Sequence, residues 1–178
     1  APAEGGPVGP LGFGPQAPHL DQTEGAAPGQ IDALYDADDP HSLAADLLQD
    51  ATTRVVYDLH RFHRSQQANP LDSARWLPTY AATLARETHT GDPLPPDGMR
   101  TQLSFSYSDG FGREIQSKIQ AEPGPVVADG PLIDPRWVGS GWTIFNNKGK
   151  PVRQYEPFFD DTQAFKFGHE EGVSPILF

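Results

Sequence analysis

The chain has no cysteine, a single methionine, and no Lys or Arg anywhere in its first 50 residues. Without cysteine there is neither a disulfide framework nor a thiolate metal site, which fits a reducing compartment or a secreted protein that does without disulfides. No run approaches the roughly 18 apolar residues of a membrane-spanning helix, and the first residues do not follow the basic, apolar, small-residue order of a signal peptide. Direct membrane insertion is therefore not expected. The missing bases are equally informative. Nine Asp or Glu fall in the first 50 residues, against 15 acids and 13 bases in the remainder, so the net charge of -11 belongs to the N-terminal third. Nucleic-acid binding needs Lys and Arg gathered on one face, and no such cluster exists; nucleic acid is not an expected partner.

What is abundant is Gly (18) and Pro (19) in 178 residues, well above the roughly 12% combined average. That predicts many turns and little long helix. Residues 1–30 hold six Pro and seven Gly among small residues, too little apolar area to offset the entropy of ordering. Residues 1–40 read as an acidic Pro/Gly-rich linker or strap, and 41–178 as a β-rich unit. Beginning at Ala1 rather than Met and ending on Pro175-Ile-Leu-Phe178, the chain reads as a piece of a longer protein.

Ile31, Leu34 and Tyr35, then Leu43, Leu47 and Leu48, recur at helical spacing, and Asp39-Pro-His-Ser42 supplies a helix start. One short helix over about residues 41 to 49 is expected. β-branched and aromatic residues predict a strand from Thr52 to Phe62, a loop from Ser65 to Pro78, and a strand over Tyr80 to His89. Two hairpins follow, Ser104 to Gln120 and Trp142 to Tyr155. In the first, Leu103, Phe105 and Tyr107 share one strand face, with Ile115 and Ile119 on the return strand. Asp160 to Gly172 is acidic and aromatic and takes no clear assignment.

The hairpins repeat one motif. An aromatic precedes Asp or Asn, and three residues after that come Gly and then a base: Tyr107, Asp109, Gly112, Arg113 in one copy and Phe145, Asn146, Gly149, Lys150 in the other. A weaker third copy, Tyr57-Asp-Leu-His-Arg61, lacks the Gly. The spacing suits a turn in which the Asp or Asn side chain bonds nearby backbone and Gly takes the strained position. As a recurring unit it points to stacked hairpins that bury a face only against their neighbours.

The stretches Phe105–Gly124 and Trp137–Phe159, with Ala51–Leu59, Thr83–His89 and Gly172–Pro175, resemble the B component of bacterial insecticidal toxin complexes, large proteins with RHS or Tyr-Asp repeats. The resemblance covers about residues 41–178. It implies a mainly β fold of antiparallel hairpins in an RHS/Tyr-Asp-repeat shell, with a short helix and an irregular N-terminal segment. It implies a noncatalytic role: a segment of a hollow β-shell that encloses a toxic polypeptide for delivery. The implied partners are the rest of the B component, the C component and, indirectly, the pore-forming A component, in a secreted, extracellular complex. The family's self-cleavage site lies in the C component, and no residue here matches it. The eight repeat-turn residues are structural under this reading, with no catalytic, cofactor or metal role. A free-standing β-rich carbohydrate- or protein-binding module is the alternative.

Other candidates have plainer readings. His60 and His63, beside Asp58, would face opposite sides of a strand, whereas metal ligands converge. Asp36, Asp38 and Asp39 lack the Gly and terminal Glu of a calcium loop. Asp160-Asp161 and Glu170-Glu171 are carboxylate pairs of a kind hydrolases use, but in a polar stretch they read as solvated. Ser104, Ser106 and Ser108 alternate with aromatics rather than sitting on a nucleophile elbow. Gly139-Ser-Gly141 reads as a bulge or close backbone approach. Trp76, Trp137 and Trp142, with Phe158 and Phe159, read as packing rather than a sugar platform.

Overall fold

A computed structural model describes residues 26–89, 91–96, 98–169 and 173–175. The chain is mainly antiparallel β. Strands β1 (Thr53–Asp58), β2 (Thr79–Arg86), β3 (Thr101–Ser108), β4 (Glu114–Ala121) and β5 (Arg136–Gly139) form a meander, and β8 (Phe158–Asp160) adds to β5. A second sheet holds β6 (Thr143–Phe145), β7 (Pro151–Tyr155) and β9 (Val173–Pro175), in that order.

Three short α-helices occur among the described residues, not one: α1 (Pro28–Asp36), α2 (His41–Leu48) and α3 (Arg61–Ala68). In α1, Pro28 occupies a position whose N–H has no helical partner anyway, and Gln30 Oε1 accepts from the Ala27 N–H at 2.9 Å. Its Leu34 and Tyr35 are buried. Asp39 Oδ1 accepts from the His41 N–H at 3.0 Å to start α2, which buries Ala44, Leu47 and Leu48. Together α1 and α2 cover one face of the six-stranded sheet, where Val56, Tyr80, Ala82, Leu84, Leu103, Phe105, Tyr107 and Trp137 meet them.

The expected strand over Thr52 to Phe62 stops at Asp58, and the expected loop after Ser65 begins inside α3. Charge explains the early helix. Residues three apart share a helix face, so Arg61 and Arg64 both reach buried Asp58, Arg64 Nη2 at 2.8 Å and Arg61 Nη1 at 3.6 Å. The guanidinium of Arg61 also lies 3.5 Å from the Tyr35 ring centroid. The third motif copy is thus a strand-to-helix junction rather than a hairpin turn: without its Gly, the chain turns into α3.

The register corrects the face assignment of β4. Phe105 pairs with Lys118, and a shift lies between Tyr107 and Ser108. A slip of one residue exchanges faces, so Gln116 and Lys118 point inward and Ile119 outward, 56% exposed. The inner row reads Val56, Ala82, Phe105, Lys118, Gly139, Phe158; the row on the opposite face reads Val55, Thr83, Ser104, Ile119, Val138, Phe159.

Candidate functional site

The two motif copies form turns with the same bonding. In the first, the Asp109 N–H donates to Arg113 O and the Gly112 N–H to Asp109 O, both at 3.0 Å. Asp109 Oδ1 accepts from the N–H groups of Phe111 (2.9 Å) and Arg113 (3.1 Å). In the second, the Asn146 N–H donates to Lys150 O (2.8 Å) and the Gly149 N–H to Asn146 O (3.0 Å). Asn146 Oδ1 accepts from the N–H groups of Lys148 (2.9 Å) and Lys150 (3.0 Å). Gly112 and Gly149 both have φ of 74°, where a side chain would be strained.

The turns also touch, one from each sheet. Arg113 Nε donates to Asp109 Oδ2 at 2.7 Å, which fixes the guanidinium 4.4 Å from the Phe145 ring centroid. A Cβ on Gly149 would lie 3.5 Å from Arg113 Nη1. A cation over the face of an aromatic ring is attracted by its quadrupole, so Arg113 joins the turn of β3–β4 to that of β6–β7. The two aromatics differ in role: Tyr107 is wholly buried and its hydroxyl donates to Gln163 O at 2.6 Å, while half-buried Phe145 is the platform for Arg113.

Asp and Asn make the turns differ in acid. Burial pushes the Asp109 carboxyl up, but the Arg113 side chain, the backbone N–H groups of Arg113 and Phe111, and the Arg113 charge outweigh it, so its pKa lies below the usual value. A depressed carboxyl stabilises the fold above its unfolded pKa, about 3.9, and that contribution is lost as pH falls through the lower folded value. In acid titrations followed by NMR, the Arg113 amide is expected to shift below about pH 4 and the Lys150 amide to stay still; Asp109→Asn should remove the difference.

The strongest electrostatic cluster is elsewhere, and it overturns the reading of Asp160 as solvated. Asp160 is 3% exposed and Lys118 0%, with Lys118 Nζ 2.5 Å from Asp160 Oδ2. Lys118 Nζ also donates to Thr162 O at 3.1 Å, and Lys166 Nζ lies 3.4 Å from Asp160 Oδ1. Burial pushes the Lys118 pKa down, against the pull of Asp160. Burial pushes Asp160 up, but the bond from Lys118 and the charges of Lys118 and Lys166 outweigh it, holding the carboxyl low. Sequence spacing gives no signal for partners 42 residues apart. The one hint is a Lys at an inward position of an alternating strand.

The remaining candidates do not converge. His60 precedes α3 and His63 lies within it, so neither histidine is on a strand and the two do not sit on opposite strand faces. Asp36 pairs with Arg61 at 4.0 Å, and Asp39 starts α2. Ser106 Oγ bonds Glu114 Oε2 at 2.6 Å, and Ser108 Oγ bonds Thr79 Oγ1 at 2.9 Å. Asp161 is exposed; Glu170 and Glu171 lie outside the described residues. Trp137 is wholly buried and Trp76 meets Phe62 edge-on at 5.9 Å, so the tryptophans form no common platform. The glycines at 139 and 141 are close approaches: a Cβ would lie 2.6 Å from the Phe158 ring at the first and 2.1 Å from Tyr155 O at the second. An open groove of about 670 Å³ beside α2 includes His41, Thr101 and Gln120, and His41 Nδ1 lies 3.0 Å from Thr101 Oγ1. Among the described residues no three His, Asp or Glu gather to hold a metal ion, and no helix is long and apolar enough to cross a membrane.

No family model matches the chain, and no curated protein does. Similar solved structures do exist. The crystal structure of TcdB2-TccC3 shares 28% identity over 64% of this chain, with a TM-score of 0.44. A Tc holotoxin pore of Photorhabdus luminescens shares 30% over 62%, also at 0.44. The complex of TcdB2-TccC3 with Cdc42 shares 31% over 60%, at 0.40. The structures that this chain is similar to are toxin-complex components, of which it spans 5–6% of the length.

Proposed function

We propose that this chain is a noncatalytic wall segment of a toxin-complex B component, part of a hollow β-shell that encloses a toxic polypeptide for delivery. The observation that carries this reading is repetition in contact: two turns with the same hydrogen bonds, one in each sheet, joined by Arg113 lying on Phe145. An enzyme turns its polar side chains toward a common point where a substrate sits. Here Asp109, Asn146 and Arg113 are committed to their own backbone and to the adjacent turn. The resemblance of Phe105–Gly124 and Trp137–Phe159 to the B component supports the same reading.

The sheet edges suit a wall. Among the described residues β1 and β8 each pair on one side only, and an unpaired edge is a template for another strand. The face away from the helices leaves Val55, Ile119 and Phe159 at 40–56% exposure. In this role the partners are the rest of the B-component shell, the C component and, indirectly, the A-component pore, outside the cell. Neither nucleic acid nor the bilayer is a partner.

The test is the behaviour of the isolated chain in analytical ultracentrifugation and urea unfolding. Concentration-dependent association is expected, relieved when β1 is blunted by Val55→Lys and Tyr57→Lys. A strictly monomeric species that melts cooperatively at every concentration sinks the wall reading.

A further inference from the structure

We propose that Lys118 and Asp160 form an intramolecular isopeptide crosslink, an amide between Lys118 Nζ and Asp160 Cγ that ties β4 to β8 across β5. The reacting groups are already together, with Nζ 2.5 Å from Oδ2, and both side chains are buried. The strand between them is shaped for the reach. Lys118 pairs with Gly139, Gly139 with Phe158, and Asp160 with Trp137. Gly139 has no side chain to block the lysine stem, and the space its Cβ would need is filled by the Phe158 ring. That ring lies 4.9 Å from Lys118 Nζ and, with buried Trp137, keeps water from the pair.

The chemistry needs nothing from outside. The ammonium passes a proton to Asp160 Oδ2 along their hydrogen bond, leaving a neutral amine and a carboxylic acid. Burial lowers the cost of this transfer, since two desolvated charges are themselves costly, and the transfer runs against the pull of Lys118 and Lys166 that holds the carboxyl low. Thr162 O, 3.1 Å from Nζ, orients the amine, whose lone pair attacks Cγ. Negative charge develops on Oδ1, where the Lys166 ammonium stands 3.4 Å away and stabilises it. The intermediate collapses with cleavage of the Cγ–Oδ2 bond, and Oδ2 leaves as water, carrying the proton already on it and a second from the nitrogen. An ammonium and a carboxylate thus become one amide and one water, with no redox change. Fixed proximity of this kind is worth effective molarities of about 10⁵ M or more, and a desolvated lysine is a competent nucleophile. The crosslink stands or falls independently of the wall reading.

The experiment is the intact mass of the full chain, taken under denaturing conditions from the folded fraction of a size-exclusion run. The mass is expected to fall one water short of the sequence, and proteolytic mapping to give a branched peptide joining Lys118 to Asp160. Lys118→Arg should restore the full mass. Asp160→Asn should lose ammonia in place of water, because the amide nitrogen then departs, and Lys166→Gln should slow the approach to completion. A folded fraction of full sequence mass overturns the crosslink, as does a water loss that maps to any other pair.

Discussion

Asp160→Ala is expected to lower the stability of the folded chain by about 3–5 kcal/mol, because it leaves a buried lysine with neither a counter-charge nor an amide bond to Asp160. Lys118 cannot escape to solvent: it lies in the inner row between Phe105 and Gly139 and is wholly buried. Its other acceptor, Thr162 O, carries no full charge. The reverse truncation should cost less. In Lys118→Met the stem volume is kept, and Asp160 retains Lys166, whose side chain is 44% exposed and so needs little desolvation. The double variant Asp160→Ala, Lys118→Met is expected to recover part of the loss, since it leaves no lone charge buried. Urea unfolding followed by tryptophan fluorescence reads all three, because Trp137 packs edge-on to Phe105 at 5.7 Å in the same core. A single variant within about 0.5 kcal/mol of the parent, the range of an ordinary surface change, contradicts the buried pairing.

Gly141→Ala is expected to be comparably severe, at about 3 kcal/mol or more, from backbone strain and overpacking together. Gly141 has φ of 76°, and its added Cβ would lie 2.1 Å from Tyr155 O and 2.7 Å from Glu156 O. Those are backbone atoms, so no rotamer change relieves the contact. The site is where the chain leaves β5 for β6, next to the Tyr155 N–H that donates to Trp142 O at 3.0 Å. The damage should therefore fall first on the second sheet and release Phe145 from Arg113. Gly110→Ala is the matched control: nothing lies within 4 Å of its added Cβ, and its cost is expected to stay within about 0.5 kcal/mol. Equal losses from the two substitutions would remove the close approach as the reason for glycine at 141.

The strands were legible because their signal is local. Leu103, Phe105 and Tyr107 alternate, and the structure buries all three. The turns are local too, each bonded within five residues, but spacing cannot say that one turn lies against the other. That contact depends on how two sheets meet. Helix α3 escaped for a different reason. Arg61-Phe-His-Arg-Ser-Gln-Gln-Ala68 has no apolar stripe, and what anchors it is buried Asp58, on the strand before it. The inward turn of Lys118 was hidden by Ile115 and Ile119, whose apolar character assigns β4 the opposite face. The register shift beside Ser108 and the distant Asp160 decide otherwise. Long-range charge pairing is the common factor in what alternation and periodicity did not disclose.

The wall reading has one most direct test, sequencing the coding frame on both sides of these 178 residues. Further copies of an aromatic, Asp or Asn, then Gly and a basic residue at the spacing of Asp109, Gly112 and Arg113 are expected beyond Phe178, continuing the stacked turns. A stop codon directly after Phe178 together with no further copy encoded before Ala1 would contradict it, since two turns in contact are then the whole array and no shell can be built from them.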